Sequence, residues 1–232
     1  MSSLEASLSV IVLAGGYSRR MGVDKALLTY QGQSLIGRTI HVAQQLSTDV
    51  IVITPWPERY QPSLPDAVRY VMDRYVTEST QQPAAGPLNG FAQGLRQTHS
   101  DWCLLLACDL PYLEINVLQQ WWQWILSCAS AQWPHLPTKP MASLVTTQGS
   151  ERAKISSTTS KLWQPLCGYY HRSCLASLNQ QLATPQRSFQ TWLATLPIAR
   201  YDAVPPTMLF NCNTPTDWTQ VVTSHSLDAK LL

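Results

Sequence analysis

Residues 8–14 read LSVIVLA, apolar at almost every position, and Gly15-Gly16 follow at once. A run of this length and character predicts a strand buried on both faces, as parallel strands in a covered sheet are. The pattern recurs. DVIVIT (49–54) and WCLLLAC (102–108) are further apolar strands, and VRYVMD (68–73) is a shorter one. Between them lie segments with helical spacing: 34–46, with Ser34 placed as an N-cap, 86–98, and the long stretch 114–129. Strand and helix alternating at short intervals predict a doubly wound α/β sheet with right-handed crossovers. Such sheets bind ligands beyond the carboxyl ends of their strands, where Gly15-Gly16, Asp73 and Asp109 all fall.

The rhythm changes after residue 132. Residues 133–161 read as loops around one strand at 142–147. A strand at 161–170 and helices at 174–182 and 188–196 follow. MLFNCNTPTDW (208–218) reads as a last short strand and then a helix, capped by Asn213 or Thr214 with Pro215 in its first turn. The tail, 224–232, reads as frayed.

Charged residues make up only 13% of the chain, and the formal net charge is +2, so neither nucleic acid nor an anionic membrane is expected as partner. No apolar run reaches the roughly 18 residues of a membrane span, and the N-terminus lacks the basic start of a signal peptide. Cys103, Cys108, Cys128, Cys167, Cys174 and Cys212 form no C-x-x-C, and several sit in apolar runs. They read as reduced, buried thiols of a cytoplasmic protein, and their spacing disfavours zinc.

The chemistry concentrates after the first strand. Two glycines let a backbone turn and approach a ligand closely, and exposed amides in such a turn attract anions. Arg19, Arg20 and Lys25 follow within a few residues. Guanidinium forks and an ammonium beside a glycine turn suit a triphosphate, although the glycines alone also fit a plain structural turn. Neither G-x-x-x-x-G-K-[ST] nor G-x-G-x-x-G is present, so the loop is neither a P-loop nor a dinucleotide fingerprint. Asp109, at the end of LLLACDLP, is a turn residue before Pro111 or a ligand for Mg²⁺, which takes one or two carboxylates and completes its shell with phosphate and water. Asp73 is a turn residue, a second carboxylate or a nucleotide contact. The cluster QQWWQW (119–124) reads as a packing face, and none of the five histidines is paired as a catalytic residue would be.

LAGGYSRRMGVDKALL (13–28) closely resembles the LAGG-x-S-x-R-M-G-x-D-K signature of nucleotidyltransferases, and within them the molybdenum cofactor guanylyltransferases. GPLNG (86–90), ACDLPYL (107–113), QPLCGYYHR (164–172), QRSFQTWL (186–193) and FNCNTPTD (210–217) resemble that family's later motifs, in the same order. The resemblance implies a single three-layer α/β/α Rossmann-like nucleotidyltransferase domain over residues 1–232, with a mostly parallel sheet. A nucleotide-binding half would span about 1–115 and a pterin-side half about 116–225. It implies Mg²⁺-dependent transfer of GMP from GTP to molybdenum-bound molybdopterin, a substrate handed over by other cofactor-biosynthesis proteins. Leu13, Ala14 and Gly15 would lie against the nucleotide. Gly16 and Arg20 would line the phosphates, Lys25 would neutralise the triphosphate, and Asp73 would contact the nucleotide. Asp109 would bind Mg²⁺, and Asn211 and Asn213 would face the pterin. Where the family often carries an Asn after its second strand, this chain has Thr54. Rival readings are a cytidylyltransferase for the same cofactor, another nucleotidyltransferase, or a non-catalytic molybdopterin carrier. The first fits poorly because its members usually read LAAG. The last would not need both Lys25 and Asp109.

Overall fold

A computed structural model of the chain describes residues 6–15, 21–73, 86–133, 138–146 and 163–228. The strands are β1 (Leu8–Leu13), β2 (Thr29–Tyr30), β3 (Gln33–Ser34), β4 (Val50–Thr54), β5 (Arg69–Met72), β6 (Trp102–Ala107), β7 (Ala142–Leu144), β8 (Cys167–His171) and β9 (Ile198–Arg200). The α-helices are α1 (Leu35–Gln44), α2 (Pro57–Tyr60), α3 (Gly86–Gln97), α4 (Ile115–Ser130), α5 (Leu175–Leu182), α6 (Phe189–Leu193) and α7 (Pro215–Asp228). Seven strands form one sheet in the order β5-β4-β1-β6-β8-β7-β9, and β2 and β3 form a separate hairpin. Within the large sheet only β8 runs against its neighbours, pairing antiparallel with β6 and β7. The expected mostly parallel α/β sheet is therefore present.

β1 sits between β4 and β6, in register Leu13↔Ile53 and Leu13↔Ala107, so three parallel strands end level with one another. Its alternate side chains feed two cores. Val10 and Val12 pack with Ile36 and Ile40 of α1 and with Leu118, Trp121 and Ile125 of α4. Ile11 packs on the other face with Phe91 of α3, Leu178 of α5 and Trp192 of α6. Both faces of β1 are thus sealed, which explains why it carries no polar alternation. Ser34 caps α1 as expected, its hydroxyl accepting the Gly37 amide at 3.2 Å. Among the described residues no helix is long and apolar enough to cross a membrane.

Three expectations need correction. The strand predicted at 161–170 begins only at Cys167; ahead of it, Trp163 makes an isolated bridge to Thr146, and Pro165, which has no amide to donate, opens a turn. No strand forms in 208–218. Pro205 and Pro206 instead start a 3-10 helix, Pro206–Leu209, and the chain then runs without a ladder into α7. β9 was not predicted, because three residues are too short to show a period. Residues 224–228, read as frayed, continue α7. Most of 133–161 lies outside the described residues.

The tryptophan cluster is a packing face. Trp121 is fully buried, donates its indole N–H to Ser143 Oγ at 2.8 Å, and stacks on Tyr201 with ring centroids 5.1 Å apart. Trp122 stacks on Tyr169. Truncating so large a core side chain costs about 3–5 kcal/mol. Trp121→Ala is therefore expected to lose that much unfolding free energy in urea titrations, and a loss below about 1 kcal/mol would contradict its central place in the core.

Candidate active site

The carboxyl ends of β1, β4, β5 and β6 form one edge, and the residues that follow them meet there. β1 runs into Ala14 and Gly15. The Ala14 amide donates to Ile53 O at 2.9 Å, and the Cys108 amide donates to Leu13 O at 3.3 Å, so the three chain exits stay tied just beyond the strands. A Cβ on Gly15 would lie 3.2 Å from Pro55 Cδ, tighter than side chains normally tolerate, so glycine is what lets the β4 exit close over β1. Asp73 Oδ2 lies 3.9 Å from that same point. The Asp73 amide donates to Thr54 O at 2.9 Å, and its carboxylate accepts Gln93 Nε2 from α3 at 2.9 Å. Leu13, Ala14, Gly15 and Asp73 are thus brought together. Thr54 is fully buried, and its hydroxyl accepts the Trp56 amide at 3.2 Å.

Lys25 opens a short 3-10 helix, Lys25–Leu27, that follows Gly22, a residue in the left-handed region at φ 69°. Asp24 caps this turn by accepting the Ala26 amide at 3.1 Å, and Ala26 is buried. The other Asp24 oxygen accepts Tyr60 Oη at 2.8 Å and Arg59 Nη1 at 2.9 Å, both from α2. The Arg59 guanidinium also lies over the Trp56 ring, 4.4 Å from its centroid. The backbone beneath Lys25 is therefore anchored to the segment that follows β4.

From that anchored turn Lys25 Nζ reaches Asp109 Oδ2 at 2.6 Å, with side-chain exposures of 18% and 11%. It also donates to Asn213 Oδ1 at 2.9 Å. Asn213 arrives because Tyr30 and Leu35, on the hairpin and α1, form a small core with Cys212 and Val221. The Cys212 amide donates to Asp109 O at 2.9 Å. Asp217, in the first turn of α7, accepts the Asn213 and Thr214 amides at 2.9 and 2.7 Å, while Thr214 Oγ1 accepts the Asp217 amide at 3.2 Å. Two orphan helix-start amides and a reciprocal cap are thus satisfied together. Asn211 donates to Leu209 O at 3.3 Å and is not part of the Lys25 cluster.

Burial pushes the Asp217 carboxyl up, but the Asn213 amide, the Thr214 side chain and amide, and the Lys25 charge outweigh it and hold it below its ordinary value. Burial, then the Asp109 charge, pushes the Cys108 thiol up to about 12. Burial and the hydrogen bond to Asp24 raise the Tyr60 phenol. The Cys108 thiol and the Tyr60 phenol therefore keep their protons near neutral pH, and neither is an anionic nucleophile there.

The donor set also bears on a metal. Asp109 Oδ1 is buried and has no hydrogen-bond partner among the described residues, and such a group is costly unless something binds it. No group of three or more His, Cys, Asp or Glu side chains gathers there, again among the described residues. One hard oxygen with an unused lone pair fits Mg²⁺, which completes its shell with water and phosphate, and does not fit a softer ion needing several protein ligands.

Sequence reasoning picked out Lys25, Asp73 and Asp109 and missed their supports. Asp24 lay inside the quoted motif without a role. Tyr60 and Gln93 act through contacts that no local pattern reports, whereas Asp217 stands three residues after Thr214, the spacing of a reciprocal helix cap that the sequence does show. Gly16, Arg19 and Arg20 lie outside the described residues.

Comparison with known proteins gives a consistent picture. A family model described as a MobA-like NTP transferase domain matches residues 10–200. A protein of Nostoc sp. named probable molybdenum cofactor guanylyltransferase is 41% identical over 212 residues, which cover 91% of this chain and 88% of that relative. A protein of the same name from Synechococcus elongatus is 37% identical over 212 residues, covering 91% and 96%. Among solved structures, molybdopterin-guanine dinucleotide biosynthesis protein A from Archaeoglobus fulgidus superposes with a TM-score of 0.64 at 19% identity, covering 94% and 98% of the two chains. That last likeness establishes the fold.

The Asp217 cap makes the assembly of the site testable. Because its carboxyl is held low in the folded protein, its contribution is fully present above the unfolded value near 3.9 and is lost as pH falls through the folded value. Asp217→Ala is expected to cost roughly 1 kcal/mol near neutral pH, about 2–4 °C in Tm. The gap to wild type should close as the medium is taken well below the unfolded value. A gap that stays the same across this range would contradict the capping role.

Proposed function

Because the chain belongs to the MobA-like NTP transferase domain family, we propose that it transfers GMP from GTP to molybdenum-bound molybdopterin and releases pyrophosphate. The observation that carries this reading is the convergence of Lys25, Asp109 and Asn213, from three distant parts of the chain, at the edge where Gly15 and Asp73 lie. In the reaction the terminal phosphate of molybdopterin forms a bond to the α-phosphorus of GTP. The bond from that phosphorus to the α–β bridging oxygen breaks, and the electron pair leaves with pyrophosphate. Direct transfer of this kind asks the protein for position and charge rather than for a nucleophile.

Leu13, Ala14 and Gly15 bind the nucleoside side, with Asp73 contacting it. Gly16 and Arg20 line the phosphates. Lys25 neutralises triphosphate charge with an ammonium that is already desolvated. Asp109 holds Mg²⁺, using the oxygen that has no hydrogen-bond partner among the described residues. When bound, the ion supplies electrostatic neutralisation of the phosphates and of the leaving pyrophosphate. Asn211 and Asn213 serve the pterin side. With Thr54 buried and committed to its own loop, guanine selection falls to the backbone beside Leu13–Gly15 and to Asp73.

The protein works as one domain, with its nucleotide half at about 1–115 and its pterin half at about 116–225, and Asn213 reaches back from the second into the first. All six cysteines are free, which suits a reducing cytoplasm, where GTP and other cofactor-biosynthesis proteins supply its substrates.

Calorimetric titration with GTP, CTP, ATP and UTP, each with Mg²⁺, is expected to show a clear preference for GTP. A preference for CTP would move the chain to cytidylyl transfer, and pyrophosphate release only with CTP would confirm that move. Lys25→Ala should weaken GTP binding by roughly tenfold to a hundredfold, the range for a lost charge-assisted contact. Asp109→Asn should cut turnover by on the order of a hundredfold or more while leaving the fold intact.

A further inference from the structure

We propose that, in the nucleotide-free protein, Lys25 is the resident cation of the Asp109 carboxylate, held there by Asn213 acting as a positioning residue, so that a divalent ion gains Asp109 only as the nucleotide draws Lys25 away. The inference rests on the reading above in one respect, that the natural occupants are a nucleoside triphosphate and its divalent ion.

The geometry has three parts. First, Lys25 Nζ lies 2.6 Å from Asp109 Oδ2, a short charge-assisted contact, in surroundings that leave the carboxylate 11% exposed. A unit positive charge this close to the carboxylate opposes any second cation there, and water does little to screen the opposition. Second, Asn213 Oδ1 accepts from the same ammonium at 2.9 Å, and this oxygen is not a casual neighbour. Its backbone is gripped on one side by Asp217, through the Asn213 and Thr214 amides, and on the other through the Cys212 amide on Asp109 O. Asn213 is thus built to face the pair. Third, the 3-10 turn under Lys25 is anchored by Asp24, Tyr60 and the buried Ala26. The backbone stays put, and the four-carbon stem is the part that can swing.

Within that frame Lys25 chooses between two anions. A triphosphate carries several negative charges and sits beside the glycine turn; once it is present, the ammonium moves to phosphate and Asp109 Oδ2 is released. Asp109 then offers both oxygens, one of which already lacks a partner among the described residues. Metal and nucleotide binding become linked, because each removes the obstacle to the other.

The test uses Mn²⁺ alone, with no nucleotide, titrated into the full-length chain and followed by the paramagnetic resonance of the free ion. Wild type is expected to bind weakly. Lys25→Met should bind Mn²⁺ at least about tenfold more tightly, the scale of one lost charged contact. Asn213→Ala should move the same way by a smaller factor, about threefold, and it keeps both charged groups, so it decides the matter even if Lys25→Met folds poorly. A purely structural Asn213 would leave metal affinity unmoved. Adding Asp109→Asn to Lys25→Met should abolish the gain. The proposal is overturned if neither single variant binds Mn²⁺ more tightly than wild type, or if the gain survives loss of the Asp109 carboxylate. Since no nucleotide is present, these outcomes stand apart from the base-preference titration that tests guanylyl transfer.

Discussion

The contact between Lys25 and Asp109 joins the loop after β1 to the end of β6, 84 residues away. Pairs this enclosed are seldom gains in stability, because removing two charges from water offsets most of their attraction. Removing either partner alone is worse, since it strands the other. A chain that keeps such a largely enclosed pair at a strand edge keeps it for what the charges do. The surrounding fold reads as the means of holding them: β1 between β4 and β6 fixes where Asp109 emerges, and Asp24 and Tyr60 fix where Lys25 begins.

Asn213 extends this logic to the other end of the chain. Its contact with Lys25 spans 188 residues and is local only because Tyr30 and Leu35 share a small apolar core with Cys212 and Val221. Burial of a few side chains at the back of the hairpin therefore sets a polar contact at the front. That arrangement gives the C-terminal segment, the proposed pterin side, a direct hold on Lys25, beside the Cys212 amide on Asp109 O and the β6–β8 ladder.

Much of this was legible in the sequence, for physical reasons that can be named. β1, β4 and β6 are buried on both faces and announce themselves as apolar runs, and Ser34 announces α1 by its place before an amphipathic stretch. Asp109 stood out as a lone carboxylate ending such a run. β9, with three residues, has no period to read, and the 3-10 helix at Pro206–Leu209 passed for a strand because its Met208 and Leu209 are apolar. Tyr60 carries no signal in the sequence; its hydroxyl matters because it meets Asp24, 36 residues earlier, and only packing brings them together. Motif strings carry the residues that must touch a ligand. They do not carry the residues that hold those in place.

The protonation states around the pair complete the argument. Cys108 is covalently next to Asp109, and burial with the adjacent carboxylate pushes its thiol up to about 12. Tyr60, against Asp24, is likewise raised. Both groups keep their protons across the neutral range, so neither adds negative charge beside Asp109 to compete for a cation or to repel a triphosphate. Deprotonating Cys108 would place a second anion beside a carboxylate oxygen that has no hydrogen-bond partner among the described residues. The apolar packing that makes β6 readable as a strand therefore also keeps the Cys108 proton in place, so that the Asp109 carboxylate and the Lys25 ammonium face each other with no thiolate beside them.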